Sequence, residues 1–276
     1  MIKWIVTAVV LALIIAGWLV PTFAFPTATW GFYVTLGVVV AAIAILGIYS
    51  YFYKKKMDVA MKEYFSKYYE FNNKYVFGDA VSDLAGTVDD KLDPEVFKAA
   101  GLYKDVVKVG SRETLHFSYR GKNCLMSDCA GQVKGEKALQ TVFVGKLLVV
   151  PNDYHGPDCI IYLKGNKRAL PPTTLGDYDV FEDSHTMVIY GQTGVKRLLS
   201  HPVRQALAKI QTNDTLIDLA IAVKEGKTYF AMGYDDNLMV LPLEKPFNPA
   251  PTTELKADTA LIFGIADALD VHPEDK

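Results

Sequence analysis

The sequence predicts a membrane-anchored α+β fold: an N-terminal two-helix transmembrane hairpin in residues 1–56, then a mostly antiparallel sheet packed with helices in residues 57–276. Three observations predict it. From Trp4 to Tyr53 there is no Asp, Glu, Lys, Arg or His, a run of 50 residues. That run is interrupted by Pro21 and Pro26. Beyond Arg112 the apolar spacing changes to two, with turn residues between successive runs.

A spanning helix needs about 20 apolar residues to cross roughly 30 Å of hydrocarbon. The uncharged run is too long for one span and long enough for two. Each proline lacks the N–H donor and clashes with the preceding turn, so Pro21 and Pro26 stop a helix. The spans are therefore expected at about residues 4–20 and 30–53. Trp4, Trp18 and Trp30, with Tyr49, Tyr51 and Tyr53, fall near the span ends, where amphipathic rings prefer the headgroup region. Lys3 precedes the first span and the basic cluster Lys54, Lys55 and Lys56 follows the second, while the connector is uncharged. The positive-inside rule then places both termini in the cytoplasm. A signal peptide cleaved after Thr22-Phe23-Ala24 is the competing reading of the first span. It is the weaker one, because 17 apolar residues are long for such a segment and Thr is a poor substitute for Ala at the cleavage site. Gly37 and Ala41 form a small-xxx-small pair, a pattern that lets helices approach and that also arises by chance in apolar helices.

Met57 to Tyr75 reads as a helix continuing from the second span, with six aromatic residues between Tyr64 and Tyr75. Phe77 to Asp93 reads as a loop. Asp93-Pro94 is a helix start, with Asp as cap and Pro in the first turn, and Gly101 closes that helix. Thr114 to Arg120 and Asn123 to Val133 form a hairpin across Arg120-Gly121-Lys122-Asn123. Thr141 to Val150, Cys159 to Lys164 and Thr186 to Tyr190 are further strands. Pro202 to Gln211 is an amphipathic helix. Leu216 to Val223, Thr228 to Gly233 and Leu238 to Leu241 read as a meander, and Leu255 to Leu269 as a last helix. Consecutive hairpins with helices between them argue for one α+β domain.

From Met57 onward the chain holds 25 basic and 31 acidic residues, a net of −6. No basic stripe is present, which argues against a nucleic-acid partner. Cys124, Cys129 and Cys159 are an odd, irregular set, not a disulfide framework. Cys124 and Cys129 are five apart on a predicted strand, so their side chains point to opposite faces and cannot share one zinc ion without a bulge. No phosphate-loop, zinc-protease or nucleophile-elbow motif occurs, and Gly191 to Lys196 has the wrong glycine spacing for a phosphate loop. Asp177-Tyr178-Asp179 matches the short acidic pair of sugar-nucleotide transferases, but no parallel nucleotide-binding sheet precedes it. None of the five histidines has an obvious nucleophile beside it. No cofactor is implied.

Several stretches together resemble a known family. They are Asp93 to Tyr103, Val142 to Val150, Tyr178 to Glu182 and Leu198 to Pro202, following two apolar spans and a lysine cluster. In that order they look like the bacterial membrane family named domain of unknown function 3137. The sequence departs from the family pattern at Ala100, at Leu147-Leu148 and at Ser200-His201. The resemblance implies a bacterial inner-membrane protein and no particular activity.

The functional expectation is a membrane-tethered interaction or scaffold domain. Its partners are the lipid bilayer and either another protein or a second copy joined through the Met57–Tyr75 helix. The alternative is a metal-dependent enzyme using Asp177, Asp179, His155 or Cys159 on a membrane-borne or cytosolic small molecule.

Overall fold

The computed structural model describes residues 15, 30–87, 90–163, 178–191, 194–210, 216–234 and 250–270. The chain divides into two compact units, Met1–Phe65 and Ser66–Lys276. Helix α1, Trp30–Phe77, begins in the first. Its stretch Leu36–Ala60 is long and apolar enough to cross a membrane. The first expected span, residues 4–20, lies outside the described residues apart from Ile15, so one apolar helix of the expected hairpin is described. Gly37 and Ala41 are exposed on that helix, while Ala42 is buried.

The second unit is built on a nine-stranded sheet, antiparallel throughout. Its strands are β1 (Ser82–Thr87), β2 (Val106–Tyr119), β3 (Lys122–Lys134), β4 (Leu139–Pro151), β5 (Cys159–Leu163), β6 (Val180–Asp183), β7 (Met187–Gly191), β8 (Leu216–Lys224) and β9 (Lys227–Tyr234). Two hairpins close on two-residue turns, Arg120-Gly121 and Glu225-Gly226, with positive φ at all four residues. That backbone matches the twist of the flanking strands. The order across the sheet is β1-β2-β3-β4-β9-β8-β5-β7-β6. The late hairpin β8–β9 thus enters between β4 and β5. Strands β5, β7 and β8 are buried almost along their whole length, which is why they read as continuous apolar runs.

Alternate residues separate the two faces. Phe117, Met126, Leu148, Phe230 and Ile221 pack beneath a helical layer. That layer consists of the end of α1, α3 (Val195–Leu198), α4 (His201–Lys209) and α5 (Ala250–Asp270). Phe77 of α1 meets Phe117 with ring centroids 4.9 Å apart, and Phe263 of α5 stacks on Tyr119 at 4.1 Å. On the other face Leu147, Val149 and Tyr229 pack with Phe97 and Leu102, carried by α2 (Pro94–Ala99) and the segment after it. The Asp93 carboxylate accepts the Glu95 N–H at 3.0 Å and so caps α2, which ends as expected near Gly101 at φ +65°.

Three elements differ from expectation. Strand β1 lies where a loop was expected, its sequence Ser-Asp-Leu-Ala-Gly-Thr holding few strand-forming residues. Pairing with β2 holds it, across a register shift between Ser82 and Ala85. Strand β2 begins at Val106, well before Thr114, because pairing with β3 carries the ladder through a polar stretch. Strand β6 is an edge strand of four residues, Val-Phe-Glu-Asp, too short to show a period in the sequence. The expected strand at Leu238–Leu241 lies outside the described residues.

Gly145 sits opposite Gly233 where β4 meets β9. A Cβ there would run into the Met232 carbonyl oxygen. Gly145→Ala is expected to destabilise the full-length protein in detergent by about 2 kcal/mol, read as a lowered urea midpoint by circular dichroism. Gly110→Ala, where a Cβ meets nothing within 4 Å and the backbone is not left-handed, serves as the comparison.

Candidate functional site

Two features of the second unit stand out chemically. The first is buried. Glu113, Asp128 and Lys146 face one another across β2, β3 and β4 in register. Their parity matches Leu115, Met126 and Leu148, so all three point into the helix-covered core. The Lys146 ammonium donates to Asp128 Oδ1 at 2.7 Å, with both side chains buried. Glu113 Oε1 accepts from the Asn73 amide of α1 at 3.2 Å. Asp128 Oδ2 makes no hydrogen bond among the described residues.

Burial pushes the Glu113 carboxyl up to about 7; Lys146 pulls it down and Asp128 pushes it further up. For Lys146, burial favours the neutral amine, but Asp128 and then Glu113 outweigh it and hold the ammonium above its ordinary value. Nearby, Tyr234 donates a long 3.5 Å bond to Asp258 of α5. Burial raises Asp258 to about 6.

The second feature is open. A cleft of about 460 Å³ lies on the opposite face. Leu125 and Val149 of the sheet and Val96 of α2 supply apolar lining, and Asp83, His116 and Lys227 supply charge and hydrogen-bonding groups. Such a mixture suits a small amphipathic ligand or a partner's side chain.

The residues singled out in the sequence differ in burial, although Gly191, paired with Cys159, donates its N–H to the Asp179 carbonyl and so brings that segment near Cys159. Lys54, Lys55 and Lys56 are exposed on α1. His155 is exposed, whereas Cys159 is fully buried beneath the helices, and burial, then Asp158, pushes its thiol up to about 12. Asp179 is exposed and Asp177 lies outside the described residues. Cys124 and Cys129 do fall on opposite faces. Burial pushes Cys124 up to about 11 and Cys129 higher still, which makes all three thiols poor nucleophiles at neutral pH. Among the described residues no three His, Cys, Asp or Glu side chains gather as a metal site. Gly191 ends β7, and Gln192 and Thr193 lie outside the described residues. Of the aromatic residues expected on the Met57–Tyr75 helix, Tyr75 is described, with the Lys256 ammonium 4.5 Å above its ring.

Sequence reasoning missed Asn73, Glu113, Asp128 and Lys146. A signal was present: Asp128 shares the parity of Cys124 and Met126, and Lys146 that of Leu148 and Val150. A charge at an inward position of an apolar strand marks a buried pair.

No family model matches the chain, and no curated protein is similar to it. Among solved structures, the crystal structure of the mycobacterial trehalose monomycolate transport factor A is similar at 11% identity and a TM-score of 0.44. The match covers 73% of this chain and 94% of that one. Likeness at this level fixes neither fold nor activity.

Lys146→Met leaves two buried carboxyls without their cation and is expected to cost about 3 to 5 kcal/mol in urea denaturation. The double change Lys146→Met with Asp128→Leu is expected to return most of it. A second expectation concerns pH. Folded Glu113 holds its proton more tightly than the unfolded chain does, so its stabilising contribution is complete below pH 4.5 and is lost as pH rises through about 7. Across that window the wild type is expected to lose about 3 kcal/mol relative to Glu113→Gln. Parallel stability-against-pH curves for the two proteins contradict this.

Proposed function

We propose that this chain is a membrane-tethered interaction domain, a scaffold that holds a protein partner, or a second copy of itself, at the cytoplasmic face of a bacterial inner membrane. The observation that carries the reading is α1. Its stretch Leu36–Ala60 has the length and composition of a span, and only 6% of its most apolar window is buried. Ile43 and Phe52 are each 62% exposed. Large apolar side chains in that state are costly in water and at rest in hydrocarbon.

Lys54, Lys55 and Lys56 follow directly and are exposed, the arrangement that retains a segment end on the cytoplasmic side. With a first span at residues 4–20, the protein crosses twice and keeps both termini inside. The order of spans, lysine cluster and motifs supports membership of the domain of unknown function 3137 family. The domain beyond offers an open cleft, and its buried, raised thiols suit a binding role better than nucleophilic chemistry. Its net charge of −6 turns it away from nucleic acid.

The test is a reporter fused after Lys276. Green fluorescent protein is expected to fluoresce in cells and alkaline phosphatase to stay inactive, with the chain remaining in the membrane pellet after alkaline carbonate. Active phosphatase, or release into the supernatant, overturns the topology.

A further inference from the structure

The far end of β2–β4 combines net positive charge with exposed aliphatic side chains. Among the described residues, β4 is joined by β9 only from Gly145 onward. Residues 139–144 of β4, with the ends of β3 and β2 beside them, therefore continue as a three-stranded extension. The hairpin Lys134–Leu139 closes it, with the Gly135 N–H donating to the Ala138 carbonyl at 3.0 Å.

In residues 104–108 and 132–142 there are four lysines, Lys104, Lys108, Lys134 and Lys137, against two acidic residues, Asp105 and Glu136. All four lysines are exposed, and none forms an ion pair among the described residues. Between them Val107 is 55% exposed and Leu139 46%. The tip is thus net positive and carries exposed aliphatic side chains, on a domain that is net acidic.

We infer that the β2–β4 tip docks on an anionic lipid surface, its lysines among the headgroups and Val107 and Leu139 at the acyl boundary. This rests on the anchored reading above. Basic residues near an anionic leaflet each favour the bound state about fivefold, and exposed aliphatic side chains add burial in the interface. The acidic remainder is repelled by the same surface, so the charge asymmetry selects one end.

The test uses the full-length chain in vesicles of phosphatidylcholine alone or of phosphatidylcholine mixed with phosphatidylglycerol. Leu139→Cys carries an environment-sensitive fluorophore, which the buried Cys124, Cys129 and Cys159 do not take up. A label at Lys227→Cys, at the opposite end of the sheet, is the control. The expected result is a blue shift and quenching by lipid-borne nitroxide at position 139 in the anionic vesicles, weak quenching there in neutral ones, and none at 227 in either. Lys134→Gln with Lys137→Gln is expected to lower the docked-to-free ratio about thirtyfold. Hydrogen exchange on the unlabelled protein is expected to slow in residues 104–108 and 132–142 in the anionic vesicles alone. A label at 139 that stays in water, or equal quenching in both lipids, overturns the docking while leaving the anchor in place. Release of the whole chain by alkaline carbonate overturns the anchor instead.

Discussion

The structure of the domain depends on a buried rung of charge. Lys146, Asp128 and Glu113 face one another across three adjacent strands beneath the helices. Desolvating any one of them alone would be prohibitive, and together they are tolerable. Ion pairs of this kind add little over well-packed apolar residues, so the rung is better understood through what it forbids. A one-residue slip of β4 would turn Lys146 away from Asp128 and carry it to the opposite face, in place of Leu147 among Phe97, Phe143 and Tyr162. Apolar residues are near-interchangeable under a slip, and a buried ammonium is not. The rung therefore fixes the register of β2–β4, and β4 is the template on which the late hairpin β8–β9 must pair. Errors in the first ladder would propagate to the centre of the sheet.

Local chemistry was legible in the sequence wherever it was sufficient. Arg120-Gly121 announced a hairpin because a two-residue turn needs residues that tolerate positive φ, as Glu225-Gly226 also does between β8 and β9. Asp93-Pro94 announced α2 through its cap. Period-two spacing placed Cys124 and Cys129 on opposite faces. What was not legible is nonlocal. Strands β1 and β6 pair at the two edges of the sheet, β1 with residues that favour turns and β6 with too few residues to show a period. The insertion of β8–β9 between β4 and β5 leaves no trace in either sequence, since buried strands look alike whoever their neighbours are.

The open cleft was hidden for a related reason. His116 and Lys227 are 111 residues apart and become neighbours only through the chain of pairings from β2 to β9. His116 fell inside the expected strand Thr114 to Arg120, and nothing near it in sequence marked it further. Its wall on the other side is Val96, brought over by α2 after the capped turn. Sites assembled across a sheet by several strands carry no short motif.

The same rung also ties the sheet to α1. Asn73 donates to Glu113, a polar bond in a contact otherwise made by Val76 and Phe77. With Glu113 ionised, two buried carboxylates share one ammonium and the rung carries net negative charge; with Glu113 protonated the charge balances. The carboxyl sits at about 7, so neither state is far from the other at neutral pH. The Asn73 amide bonds an anionic acceptor more strongly than a neutral one, which partly offsets the imbalance. Phe77 against Phe117 and Phe263 supplies a contact between the end of α1 and the second unit that does not titrate. Apolar packing seats the last turn of α1 on the sheet, and the buried charges set the register of the strands beneath it.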